Sequence, residues 1–284
     1  MRLELHHGDC RQIMASIPSS SIDTIITDPP YAEISRDYGR LSEDQWHDLM
    51  NAVVTECRRV LTPRGSAVFI LQPNSSKIGR MRPWLWQFMA HWAQHWNIVQ
   101  DAYWFNHATM PGGGASQYGL LRPALKCIVW MGEPDCYRDQ STVLMSPSDA
   151  TLSQQRHETL EKRSRLYYPS GHNIDRHSII DASIRRGGVT PFNVTVCANT
   201  NSTSSAGAHG HGAGTPLPLV QWWTRYLVPP DGVVLDPFCG SGTMGVAAGM
   251  HHASAFIGID QNAHYLSIAR DRIVSSMSPM ETLV

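Results

Sequence analysis

No stretch of this 284-residue chain holds the roughly 18 consecutive apolar residues that a helix needs to cross a bilayer. Its start, Met1-Arg2-Leu3-Glu4-Leu5-His6, lacks the apolar run of a secretory leader, so a cytosolic protein without a membrane partner is expected. Six cysteines (Cys10, Cys57, Cys127, Cys136, Cys197, Cys239) are scattered without a CxxC pair, which argues against a zinc cluster or a disulfide framework. They read as reduced, buried small hydrophobes. The histidines are plentiful but badly spaced for a metal: His251-His252 are adjacent and His209-x-His211 alternate, without a convergent carboxylate, so no metal is expected.

An excess of charge of either sign is missing too. With a formal net charge of −1, a polyanionic partner would have to be met by a local patch. Between Arg156 and Arg186 there are seven Lys/Arg against four Asp/Glu, a modest basic surplus that an ordinary solvated face could also carry. What is present in quantity is apolar: 42% hydrophobic and 17% charged residues describe a folded globular chain, long enough for one sizeable core.

Short apolar runs alternate with helix-period segments, the pattern of an α/β protein with a mainly parallel sheet. Strands are predicted over Arg2–His6, Ile22–Thr27, Ser66–Leu71, Asn97–Phe105, Ala124–Met131, Gly232–Leu235 and Ala255–Ile259. Trp46, Leu49, Met50, Val53, Cys57, Val60 and Leu61 fall at three- and four-residue steps and predict a helix ended by Pro63-Arg64-Gly65. A second helix carries Met81, Trp84, Leu85, Phe88, Met89 and Trp92; others cover 216–228, a stretch from Thr243, and 263–274. From Glu133 to Ser205 periodicity fails in a polar stretch too long for a connecting loop. The expected division is 1–132 and 206–284 as two halves of one core, with 133–205 inserted.

The densest signal is Val233-Val234-Leu235-Asp236-Pro237-Phe238-Cys239-Gly240-Ser241-Gly242-Thr243. A hydrophobic strand ends at an acid, turns through glycines that let the backbone approach a ligand closely, and enters a helix. The acid can accept from a ligand ammonium group, whereas a phosphate cradle would want lysine and exposed N–H groups. Asp260, twenty residues after Gly240, closes the next strand, where an acid is placed to accept from ribose hydroxyls.

Asp28-Pro29-Pro30-Tyr31 stands at the carboxyl end of a predicted strand, where open α/β sheets bind ligands. These residue types suit work on an exocyclic aryl amine, whose lone pair is delocalised into its ring. A carboxylate (Asp28) and a backbone carbonyl (Pro29) accepting from the NH₂ favour a pyramidal nitrogen with its lone pair exposed. Prolines lack an N–H and fix φ, which stiffens the turn that aims the acceptors. Tyr31 offers a ring face on which an extruded base can stack.

Together these two motifs resemble the DNA amino-methyltransferases whose catalytic motif precedes the cofactor motif, the β class. The resemblance covers nearly the whole chain. It implies a Rossmann-like S-adenosylmethionine-dependent methyltransferase fold with circularly permuted motif order and an inserted target-recognition region. The implied cofactor is S-adenosylmethionine, leaving S-adenosylhomocysteine. Catalysis would fall to Asp28, Pro29, Pro30 and Tyr31. Cofactor contacts would come from Asp9, Cys10, Asp28, His211, Thr215, Pro216, Asp236, Phe238, Gly240, Ser241, Gly242, Thr243, Asp260 and Gln261. Gly8-Asp9 matches the family's third motif, Ser66–Leu71 the strand of its sixth, and Arg122–Trp130 the strand before the recognition region. Most members carry Lys-Pro where this chain has Thr215-Pro216.

Double-stranded DNA is the implied partner, read by Arg36, Arg163, Arg165, Arg185 and Arg186, with Ala32–Leu41 as a flap over the base. A homodimer and a cognate restriction endonuclease are admitted by the same resemblance, as are nucleoid association and a phage origin. Adenine N6 is the expected target, because aspartate opens the catalytic motif; cytosine N4, served by the same acceptors, is the alternative. The sequence argues against cytosine C5, whose cysteine nucleophile usually sits in a Pro-Cys pair, since none exists here. Protein-glutamine and RNA amino-methyltransferases usually show Asn-Pro-Pro-Tyr and the reverse motif order. A silent DNA-binding subunit retaining the fold remains the alternative from another class.

Overall fold

A computed structural model describes residues 1–36, 39–108, 118–146, 166–167, 173–174, 176–199 and 214–277. The chain forms two units, Met1–Arg138 with Asn193–Val284, and Asp139–Phe192. In the first, eight strands form one sheet: β1 (Arg2–His7), β2 (Ile22–Thr27), β3 (Leu61–Leu71), β4 (Ile98–Phe105), β5 (Leu125–Gly132), β6 (Val194–Val196), β7 (Val233–Asp236) and β8 (Ala255–Asp260). Their spatial order is β1-β8-β7-β2-β3-β5-β4-β6. All pairings are parallel except those of β5, which runs against both β3 and β4.

Strict alternation along the central strands sorts side chains to two faces. On β3, Ala67, Phe69 and Leu71 enter one core while Val68 and Ile70 enter the other; on β2, Ile25 and Ile26 divide the same way. The first core is closed by helices α1 (Cys10–Ala15), α2 (Glu43–Val60) and α3 (Trp84–His95). The second is closed by α4 (Leu217–Leu227), α5 (Thr243–Met250) and α6 (Ala263–Met277). Helix α2 starts at a reciprocal Ser42–Gln45 capping box and turns Trp46, Met50, Val53, Val54, Cys57 and Val60 inward. Trp46 meets Trp84 edge-on at 4.4 Å between ring centroids and Phe88 at 5.2 Å, which locks α2 against α3.

This layering fixes where a ligand can bind. The chain leaves β2 toward the first helical layer and leaves β7 toward the second, yet β2 and β7 are sheet neighbours, with Thr24 opposite Val234 and Ile25 opposite Leu235. Connections that diverge from adjacent parallel strands open a crevice at their carboxyl ends. Residues two hundred apart in sequence therefore flank one crevice.

Three elements differ from the sequence expectation. Pro63-Arg64-Gly65 does not end α2 and lead into a loop; it lies inside β3, because the pairing jumps from Ile22–Leu61 to Thr24–Ser66 and a bulge absorbs the extra residues. Met81 belongs to a short ribbon with Ser75, and α3 begins only after Pro83. The expected insertion, 133–205, runs past β6, a three-residue strand that pairs with β4 in the main sheet and is too short to show a periodic signal.

The second unit has a 3₁₀ turn at Gln140–Val143, a two-residue ribbon pairing Leu166–Tyr167 with Asn173–Ile174, and a helix at Arg176–Arg185. No helix among the described residues is long and apolar enough to cross a membrane.

Candidate active site

A cavity of about 980 Å³ opens at the carboxyl ends of β2, β7 and β8. Asp28, just past the end of β2, and Asp236 and Asp260, the last residues of β7 and β8, all line it.

Asp28 is held on both oxygens. Tyr31 donates its hydroxyl to Oδ1 at 2.5 Å, and Thr215 donates Oγ1–H to Oδ2 at 2.8 Å. The turn carrying it is fixed from behind: the Trp46 indole N–H donates to the Pro30 carbonyl at 2.6 Å, and Asn74 Nδ2 donates to the Ala32 carbonyl at 2.6 Å.

Asp236 is fully buried, accepting at Oδ1 from Thr27 Oγ1 (2.7 Å) and from the Phe238 backbone N–H (3.1 Å). Burial pushes its carboxyl up to about 7, opposed by these two hydrogen bonds and reinforced by the nearby carboxylates of Asp260 and Asp28. A cation in the cavity would stabilise the ionised form. The following turn passes through Gly242 at φ +81°, where a Cβ would meet the Ala269 Cβ at 2.7 Å, so only glycine admits both the conformation and the close approach of α6. Arg272 of α6 buttresses this turn from within the protein, donating to the Ser241 carbonyl, to Ser241 Oγ at 2.9 Å and to Thr243 Oγ1 at 3.4 Å.

Asp260 accepts the Gly240 N–H at Oδ2 (2.8 Å) and the Asn262 N–H at Oδ1 (2.8 Å), while His7 Nε2 lies 3.0 Å from the Gln261 carbonyl. Its half-buried carboxylate keeps spare lone pairs toward the cavity for hydroxyl donors. The chemistry of this set suits a ligand that is cationic at one end and carries a sugar diol at the other.

Of the residues expected from sequence, Cys10, Arg36, Pro29, Pro30, Tyr31, Thr215, Phe238, Gly240, Ser241, Thr243 and Gln261 also line the cavity. Asp9, Pro216 and Gly242 stand outside its lining. The Asp9 carboxylate is engaged locally, capping α1 through the Arg11 N–H (2.9 Å) and pairing with the Arg11 guanidinium, so Gly8, Cys10 and Arg11 face the cavity instead. His211, Arg163 and Arg165 lie outside the described residues. In the second unit Arg186 bonds to Gln140 and Thr190, and Arg185 ends its helix at the surface.

Burial pushes the Cys10 thiol up to about 12 and the Cys239 thiol well above its usual range, so neither cavity cysteine supplies a thiolate. Sequence reasoning missed Trp46, Asn74, Arg272 and Lys126. Arg272 had a readable signal, a charge three residues after Ala269 and beside Ile273 on the buried face of α6. Lys126 did not: it lines the cavity from β5, with Nζ 3.3 Å from the Tyr31 hydroxyl and 4.4 Å from the Trp104 ring centroid.

A glycine turn after one strand, an acid after the next, and a second acid across the switch point are what an S-adenosylmethionine-dependent methyltransferase would need. The comparisons with known proteins agree. The family model for DNA methylase, of the N6/N4 methyltransferases, matches residues 22–271, and the chain belongs to that family. The type II methyltransferase M.PvuII of Proteus hauseri is 22% identical over 96% of this chain and 84% of its own. A PvuII DNA methyltransferase structure described as cytosine-N4-specific superposes with a TM-score of 0.69 at 19% identity, over 96% of this chain and 86% of that one. The Thermus thermophilus protein TTHA0409, solved with S-adenosyl-L-methionine, gives 0.57 at 18% identity over 99% and 98%. The DNA adenine methyltransferase YhdJ of Escherichia coli is 39% identical over a segment of 64 residues, 21% of each chain.

Proposed function

We propose that this methyltransferase acts on adenine N6 at specific sites in duplex DNA, extruding the target base into the cavity. The observation that carries the reading is the Asp28 carboxylate, gripped by Tyr31 and Thr215 beside the cofactor turn. Bound S-adenosylmethionine supplies the electrophilic methyl. Asp236 takes its ammonium end, Asp260 its ribose hydroxyls, and Phe238, Gly240, Ser241 and Thr243 line its bed. Asp28 and the Pro29 carbonyl accept the two N–H bonds of the target amine and so turn its lone pair outward. Tyr31 stacks on the base. The proton that the methylated nitrogen gives up passes to the Asp28 carboxylate and from there to water, with S-adenosylhomocysteine as the leaving group. Catalysis rests on positioning and electrostatics, with no covalent intermediate.

The inserted region reads the sequence, with Arg185 and Arg186 as contacts to phosphates or guanine edges and Arg36 approaching from the catalytic side. A role in a restriction-modification pair, with an endonuclease of the same specificity, is supported by the type II relatives.

A second reading, cytosine N4, is favoured by the likeness to the cytosine-N4-specific PvuII enzyme. Incorporation of labelled methyl into mixed-sequence duplex DNA, followed by nucleoside mass spectrometry, separates the two. N6-methyldeoxyadenosine is the expected product; N4-methyldeoxycytidine would replace the base and keep the mechanism.

A further inference from the structure

We infer that Lys126 is a specificity-determining residue of the base pocket, whose ammonium donates a hydrogen bond to the ring nitrogen adjacent to the target's exocyclic amine. This rests on the reading of the cavity as the site of base methylation. It does not depend on which amine is methylated, since adenine N1 and cytosine N3 occupy the same place beside their amines and are both acceptors.

Three observations carry the assignment. Lys126 is half-buried on β5 and lines the cavity, where a lysine is less usual than on the open surface. Its ammonium is held at two points: Nζ lies 4.4 Å from the ring centroid of Trp104 and donates to the Tyr31 hydroxyl at 3.3 Å. Trp104 is itself completely buried and anchored by its indole N–H to the Cys197 carbonyl at 3.0 Å, so the surface under the ammonium does not move. Finally, the chain of bonds runs Lys126 to Tyr31 to Asp28 Oδ1, which sets the ammonium two hydrogen bonds from the carboxylate that accepts the amine.

A base stacked on Tyr31 with its amine at Asp28 turns the next atom of its ring edge toward Lys126. An ammonium has three donors and no acceptor. It therefore matches a bare ring nitrogen and opposes the ring N–H that guanine carries between its carbonyl and its amine. Tyr31 takes one donor, and the geometry leaves the amine's own hydrogens to Asp28 and Pro29.

The test replaces the target base of a mapped site by its deaza analogue, 1-deazaadenine or 3-deazacytosine according to the base methylated, and measures single-turnover methyl transfer. Deletion of that nitrogen weakens base pairing and eases extrusion, so slower transfer must arise in the enzyme's pocket. Wild-type protein is expected to slow by about tenfold to a hundredfold, the worth of one hydrogen bond to a charged donor. Lys126→Met should be slowed by a similar factor on the natural base and hardly further by the analogue, while Lys126→Arg should recover part of the rate.

Multiplicative effects of the variant and the analogue would overturn the assignment, as would an unimpaired Lys126→Met. An effect confined to KM for S-adenosylmethionine would also overturn it, moving Lys126 to the cofactor. Because the analogue acts on unaltered protein, a misfolded variant leaves the wild-type arm decisive: equal rates on the two bases sink the inference. Absence of any methylated nucleoside with wild-type protein would instead remove the methylation reading, and this inference with it.

Discussion

Asp236 ties cofactor binding to pH. Its carboxyl is pushed up to about 7 by burial, and on the proposed reading it holds the ammonium end of the cofactor. Binding selects the ionised form, so the protonated fraction is lost to binding. Affinity should level off toward pH 8 and fall about tenfold for each pH unit well below 7, roughly 1.4 kcal/mol per unit. Between pH 8 and pH 6 the expected loss is therefore about tenfold. Without ligand the sign is opposite. The folded state holds this proton more tightly than the unfolded chain, so Asp236 withdraws stability as pH rises from about 4 to 7. Calorimetric titration with S-adenosylhomocysteine at pH 6, 7 and 8, in two buffers of different ionisation enthalpy, measures both quantities. About one proton should be released per ligand at pH 6 and almost none at pH 8. Asp236→Asn should bind weakly at every pH with the slope abolished. A flat affinity profile in the native protein, or an unchanged slope in the variant, would refute the argument.

Asp28→Ala should abolish methyl transfer to DNA while S-adenosylhomocysteine binding, followed by calorimetry, stays largely intact; normal turnover would remove Asp28 from the reaction. Thr215→Val, which deletes the donor to Asp28 Oδ2, should lower the single-turnover rate about tenfold or more with little change in KM for the cofactor, and Thr215→Ser should restore it. If serine fails to rescue, the hydroxyl is not what matters there. Arg272→Met should strip the glycine turn of its internal support, costing on the order of 1–3 kcal/mol and several degrees of melting temperature by scanning fluorimetry. A melt within a degree of the native protein would show the buttress to be dispensable.

The cofactor half was legible because its signals are local. The glycine turn after Leu235-Asp236 and the acid at Asp260 can be read from spacing alone, and the central strands announce themselves as apolar runs. What escaped is what the fold assembles from a distance. Trp46 reads as one more core aromatic on a helical stripe until its indole is seen to hold the Pro30 carbonyl. Lys126 sits in an apolar strand and acquires meaning only because β5 runs antiparallel beside β3. The place of Thr215 is explained by contact with Asp28, 187 residues away, where the sequence shows only a departure from Lys-Pro. The strand Val194–Val196 was invisible because three residues cannot establish a period, and its partner β4 lies ninety residues upstream.

The pairing of β2 with β7 has a consequence for biosynthesis. Thr24 and Val234 are neighbours in the sheet, but a ribosome moving at about 5–20 residues per second makes the second roughly 10–40 s after the first. During that interval β2 can acquire β3 on one side while its other edge, the one that β7 covers in the folded protein, has no strand to meet. A nascent chain stalled before Val233 would thus display an apolar ribbon ending in Asp28, prone to join another chain and unable to form the cofactor bed. The centre of the sheet, and with it the site, cannot form until the late strands β7 and β8 have been made.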